Sequence, residues 1–176
     1  MVAGMVSGAL AAAVLAAGGG SGGAADGYWL HTQARFAPPT AFVHSAAVTY
    51  DHRLVPPGAS VEVDQHGSRA GTTVRLAVEG LVPGRAYGAH VHREPCGADP
   101  AAAGGHYQNV ERPGHADAAN EVCLDFTTDR SGRGRATVHK SWGLRRGEAG
   151  SVVLHDVPGG AGERVACFTV PFAYQP

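Results

Sequence analysis

Thr72-Thr73-Val74-Arg75-Leu76-Ala77-Val78 alternates without a break. Val74, Leu76 and Val78 fall on one side of an extended chain, and Thr73, Arg75 and Ala77 on the other. Side chains of a β-strand point to opposite faces with a period of two, so the stretch reads as a strand with one face in a core. Comparable short runs recur at 42–50, 59–65, 87–92, 122–127, 135–139, 151–156 and 164–170. Between them stand turn-forming clusters: Pro56-Pro57-Gly58, Pro83-Gly84, Asp129-Arg130-Ser131-Gly132 and Pro158-Gly159-Gly160. Eight short strands with no sustained helical period predict an all-β protein, a sandwich or barrel.

Residues 94–120 break the pattern. They show little periodicity and hold Gly, Pro, Ala, one Cys and two His. A connection of this length without structure of its own is usually functional or disordered, and its metal-binding residue types point to function. The chain of 176 residues is long enough for one domain. Residues 1–25 carry no charge and are mostly Ala, Gly and Val, which reads as an export signal too short and small-sided to span a membrane. Residues 26–41 read as a flexible linker, and the domain is expected over 42–176. A formal net charge of −1 and the lack of a Lys/Arg cluster exclude a phosphate-tracking nucleic-acid binder.

Ten histidines are many for this length. In Ala89-His90-Val91-His92 the two imidazoles lie at i and i+2, on the same strand face, where both can reach one metal. Gly104-Gly105-His106 places a third behind paired glycines that let the backbone turn it inward. Val152-Val153-Leu154-His155 ends an apolar strand on a fourth. Four imidazoles make an all-nitrogen site that suits Cu, Zn, Fe or Ni, with tetragonal Cu(II) modestly favoured. The three cysteines Cys96, Cys123 and Cys167 allow three pairings, each leaving one thiol free.

Taken in order, Gly80-Leu81-x-x-Gly84, Gly88-Ala89-His90-Val91-His92, Cys96, Gly104-Gly105-His106, Val153-Leu154-His155 and Gly162-Glu163-Arg164-Val165-Ala166-Cys167 resemble the copper/zinc superoxide dismutase family. The resemblance runs from about residue 42 to 170. It implies an eight-stranded Greek-key β-barrel or sandwich with a long, disulfide-tethered metal-site loop, and a secreted enzyme acting on superoxide. It further implies His90, His92, His106 and His155 as copper ligands, with His106 where the family's bridging imidazolate stands. By the same resemblance Arg164 guides the anion, and Cys96 pairs with Cys167. Cys123 has no counterpart.

Two departures bear on zinc. The family's zinc site takes two more His and an Asp after the bridging His. Here His115 is the one candidate His in that loop, and Val122 stands where the Asp would be. Zinc with fewer than three protein ligands is held poorly, so a complete zinc site is not expected. The connection from His155 to Arg164 is also far shorter than the family's charged steering loop. Both departures resemble the copper-only branch. Without zinc, another group must take the second nitrogen of His106. Glu121 and Asp125, at i and i+4 on one strand face, are the candidate carboxylates. The alternative reading is a non-enzymatic copper-binding or storage protein on the same fold.

Overall fold

The computed structural model describes residues 27–111 and 117–173. The expected export signal and His115 lie outside the described residues. The alternation of 72–78 holds: Thr72, Val74, Leu76 and Val78 are buried and Arg75 is exposed, within a strand running from Gly71 to Glu79.

Among the described residues, nine strands form a single sheet curled into a nearly closed barrel. They are β1 (Gly27–Ala37), β2 (Ala47–Thr49), β3 (Ser60–Ser68), β4 (Gly71–Glu79), β5 (Ala86–His92), β6 (Phe126–Thr127), β7 (Gly134–Lys140), β8 (Ser151–His155) and β9 (Arg164–Thr169). Their order around the sheet is β6-β5-β8-β9-β2-β1-β3-β4-β7. Every pairing is antiparallel except β1 with β2. The interior is filled from alternate positions, among them Val61 and Val63 of β3, Val74, Leu76 and Val78 of β4, Tyr87, Ala89 and Val91 of β5, and Val152 and Leu154 of β8.

Three sequence expectations need correction. The stretch 26–41 is not a linker, because residues 27–37 form β1, the longest strand, which pairs with β3 along its length. Its inward positions mix Tyr28, Thr32 and Ala34 with Leu30 and Phe36, while Trp29 lies on the exposed side, so the apolar alternation that marks β4 is diluted in it. The domain therefore starts at least fifteen residues earlier than expected, and the strand count is nine rather than eight. In 42–50 only Ala47–Thr49 is strand, and Phe42 and Val43 are exposed. In 122–127 only Phe126–Thr127 is a regular strand. Its first half touches β5 through the single bridge His90↔Cys123, with Val91 N donating to Val122 O and Leu124 N to Ala89 O.

The segment 94–106 lies over the outer face of β8 and β9, and this covering positions the site. The outward residues Val153 and Cys167 are paired across β8 and β9, and Ala103, from a short 3₁₀ turn over Pro100–Ala103, packs on them. All five residues of β8 are consequently buried, on both faces. A disulfide joins Cys96 to Cys167 with 5.7 Å between Cα atoms. Ser151 Oγ donates to Glu94 O and Tyr50 Oη to Gly97 O, so the segment is tied down at several points.

Candidate metal centre

Register brings the histidines together. On β5, Gly88, His90 and His92 face outward while Tyr87, Ala89 and Val91 fill the core. Gly88 opposes His155 of β8, so His155 lies diagonal to His90. His106 joins through an isolated bridge to His92, fixed by Tyr107 N donating to Val91 O and Arg93 N to Gly105 O. The His106 ring centroid is 4.5 Å from that of His90 and 4.6 Å from that of His92. His155 stands 5.6–5.7 Å from the other three.

Backbone carbonyls set the tautomers. His92 Nδ1 lies 3.0 Å from Gly104 O, and His155 Nδ1 lies 2.9 Å from Gly162 O. A carbonyl only accepts, so each Nδ1 carries the proton and each Nε2 is left with a bare lone pair. Both Nε2 atoms are buried with no hydrogen-bond partner, as are both ring nitrogens of His90. Buried polar atoms are normally satisfied, and unpartnered nitrogens on three neighbouring buried imidazoles have the character of a metal-ligand set. Nitrogen donors of His92, His106 and His155 lie within 4.8 Å of one another, and His90 groups with Glu121 and Cys123 by the same measure. The residues therefore fit a metal held by imidazoles.

Electrostatics favour the neutral ligand form. Burial pushes the His92 pKa down to about 3, and lowers those of His90 and His155. The unfolded chain would take up protons at these positions below about pH 6.5 while the folded chain resists them. Stability is therefore full above pH 6.5 and falls as the pH drops toward 3. Denaturant midpoints of the metal-free protein should hold between about pH 7.5 and 6.5 and decline steadily as the pH is lowered from about 6.5 toward 4, and a flat profile below about pH 6.5 would contradict the buried neutral histidines.

The two carboxylates sit differently. Glu121, buried, places Oε2 2.8 Å from His106 Nδ1 and accepts through Oε1 from Gln108 Nε2 at 3.1 Å. An ionised carboxylate only accepts, so His106 donates through Nδ1 and its Nε2 is bare, as in His92 and His155. Asp125 is directed at His90, with Oδ1 3.1 Å from His90 Nε2 but outside hydrogen-bonding alignment. Its main contacts are to backbone: Ala89 N donates to Oδ1 and Gly159 N to Oδ2. Asp125 thereby clamps the short 156–163 connection onto β5. A Cβ on Gly88 would stand 2.7 Å from Gly159 O, and one on Gly160 would strike the His106 ring, so both positions need glycine for close approach.

Arg164, opposite His155 across a β-bulge, donates to Pro100 O at 2.8 Å and Gly104 O at 2.6 Å. The Gly104 carbonyl thus serves both Arg164 and His92. Cys123 is the free cysteine, half-buried, and burial pushes its thiol pKa up to about 11. Sequence reasoning missed Gln108 and the carbonyls of Gly104 and Gly162. Gln108 was within reach, since it follows His106 by two and so shares its face. Carbonyl partners leave no trace in side-chain identity.

No protein-family model matches the chain, and no curated protein does. Solved structures do. A superoxide dismutase-like protein from Bacillus subtilis, crystallised as a double mutant, matches with a TM-score of 0.52 at 16% identity, over 78% of this chain and 95% of that one. The Cu/Zn superoxide dismutase from Brucella abortus matches with a TM-score of 0.50 at 22% identity, over 80% of this chain and 99% of that one.

The fold is that of the Cu/Zn superoxide dismutase-like Greek-key barrel.

Within this dismutase-like barrel a histidine cluster able to hold a metal sits on the outer face of β5 and β8, under the disulfide-tethered segment. Val122, where the sequence comparison looked for a zinc-binding Asp, is fully buried in the core. Among the described residues, no helix is long and apolar enough to cross a membrane.

Proposed function

We propose that the protein is a copper-dependent superoxide dismutase of the copper-only kind, acting outside the cytoplasm. The carrying observation is the set of buried imidazole nitrogens without partners, His90 Nδ1, His92 Nε2 and His155 Nε2, gathered around His106. Imidazoles suit copper, and no thiolate belongs to the three-histidine group. Copper, when bound there, supplies the one-electron chemistry that oxidises one superoxide to O₂ and reduces the next to H₂O₂.

The chain supplies the rest. Gly104 O and Gly162 O hold His92 and His155 with Nε2 toward the metal position. Glu121 holds the proton of His106 on Nδ1, so that nitrogen is already engaged by a carboxylate. That contact supports reading the centre as complete without zinc. The His106 Nδ1 proton, shared with Glu121, is suited to serving as the proton for peroxide. A disulfide is compatible with an oxidising compartment.

Arg164 is the cation for the incoming anion. Its guanidinium is pinned by two carbonyls on the segment that covers the site and has no carboxylate partner among the described ion pairs. With a short 156–163 connection it carries most of the attraction. In the copper-loaded protein, kcat/KM for superoxide should fall as ionic strength rises, because the Debye length shrinks from about 30 Å at 0.01 M to about 10 Å at 0.1 M. Arg164→Ala should lower kcat/KM on the order of 10-fold and flatten that salt dependence, within the range steering contributes. Copper binding without superoxide turnover would favour the non-enzymatic reading, and turnover indifferent to both salt and Arg164 would remove Arg164 from the account.

A further inference from the structure

The free thiol of Cys123 stands beside the centre and the proposed dismutation does not use it. Cys123 and His90 are directly opposed across the ladder. The flanking hydrogen bonds run from Val91 N to Val122 O and from Leu124 N to Ala89 O. This makes the pair a non-hydrogen-bonded one, the kind in which opposed side chains approach most closely and share a face. Glu121 comes two residues earlier and is bridged to Gln108.

Donor atoms of His90, Glu121 and Cys123 all lie within 4.8 Å of one another. His90 is 4% exposed, yet neither ring nitrogen has a hydrogen-bond partner, and its Nδ1 is 3.7 Å from Glu121 Oε2. An imidazole so buried and so unsatisfied asks for a ligand. Metal–sulfur and metal–imidazole bonds of about 2.3 and 2.0 Å put the two donors of a metal bridging Cys and His about 4.3 Å apart, which this spacing accommodates. Cys123 is half-exposed while His90 and His92 are buried, so the thiol is the member of the group that meets solvent first.

We propose that Cys123, with His90 and the neighbouring charge of Glu121, forms a landing site for Cu(I) at the rim of the three-histidine cluster. The inference rests on the copper reading above and deepens it. A thiolate is a soft donor that selects Cu(I), whereas the all-imidazole cluster suits Cu(II). On binding, the thiol proton passes to solvent and the sulfur becomes a thiolate ligand. His90 borders the three-histidine group, its ring centroid 4.5 Å from that of His106 and 5.6 Å from that of His155, so a copper ion held between Cys123 and His90 needs only to exchange its sulfur for the imidazoles of His92, His106 and His155. No oxidant is needed for this step, because the ion keeps its charge.

The test is anaerobic Cu(I) titration of the full chain, with X-ray absorption at the copper edge and affinity by competition with a Cu(I) chelator. At one equivalent or less, sulfur is expected in the Cu(I) shell of the unmodified protein. Cys123→Ser should lose that sulfur and weaken Cu(I) binding by at least the order of 10-fold that even an outer partner of a metal site is worth. Cu(II) affinity should stay unchanged. A nitrogen-only Cu(I) shell in the unmodified protein overturns the proposal without any variant, as does equal Cu(I) affinity in Cys123→Ser. If neither Cu(I) nor Cu(II) binds, the copper reading itself has failed and this proposal falls with it.

Discussion

Glu121→Gln is expected to weaken copper binding and superoxide turnover by about 10- to 100-fold, the usual range for a partner that orients a ligating histidine. The carboxylate has two oxygens, and both face donors: Oε2 takes His106 Nδ1–H and Oε1 takes Gln108 Nε2–H. A glutamine has only one oxygen to offer. Whichever way its amide turns, one neighbour meets an NH₂ group in a buried setting where an unmatched donor is costly. His106 then loses the acceptor that fixes its tautomer and ring orientation. Asp125→Asn should act differently, because Asp125 binds the backbone at Ala89 N and Gly159 N rather than His106. It should loosen the 156–163 connection and reduce stability more than copper affinity. Isothermal titration with copper, together with the copper spectrum of each variant, separates the two. Unchanged affinity and turnover in both amide variants would remove the carboxylates from the site.

Converting both Cys96 and Cys167 to Ser should cost about 4 kcal/mol, the chain-entropy value for a loop of this size. The two cysteines are 71 residues apart in sequence. For a domain of this length the loss corresponds to a fall in Tm of roughly 10–15 °C. The effect should reach the metal centre too. The disulfide holds the segment whose Ala103 covers Val153 and Cys167, and whose Gly104 carbonyl fixes His92 and anchors Arg164. Copper affinity should therefore fall along with thermal stability, and calorimetry with metal titration reads both. A Tm within a degree or two of the unmodified protein would show that the segment is held by its hydrogen bonds alone.

How far the sequence carried can be judged from particular residues. β4 was legible because Val74, Leu76 and Val78 alternate with Thr73, Arg75 and Ala77, and its inner face is purely apolar. β1 was not, because Gly27 at its start, Pro38 just after it, and Thr32 and Ala34 on its inward side resemble a tether. What makes it a strand is nine residues of register with β3, a long-range fact. The region around Cys123 was read as a strand and is one only at its end. It borrows single bridges from β5 and from Gln108 instead of a continuous ladder. At the centre, the four histidines could be named because H-x-H spacing and flanking glycines leave marks in sequence. The choice between Glu121 and Asp125 could not be made, since both share a face and only the path of the chain shows which one meets His106. His115 lies outside the described residues.

The proposed enzyme is a one-metal dismutase whose His106 is oriented by Glu121 rather than by zinc. Its most direct test is the metal content and superoxide turnover of the purified protein, reconstituted with copper alone and with copper plus zinc. One copper per chain, no retained zinc, and the same turnover after either treatment are expected. A stoichiometric zinc ion, or turnover that appears only when zinc is added, would contradict it.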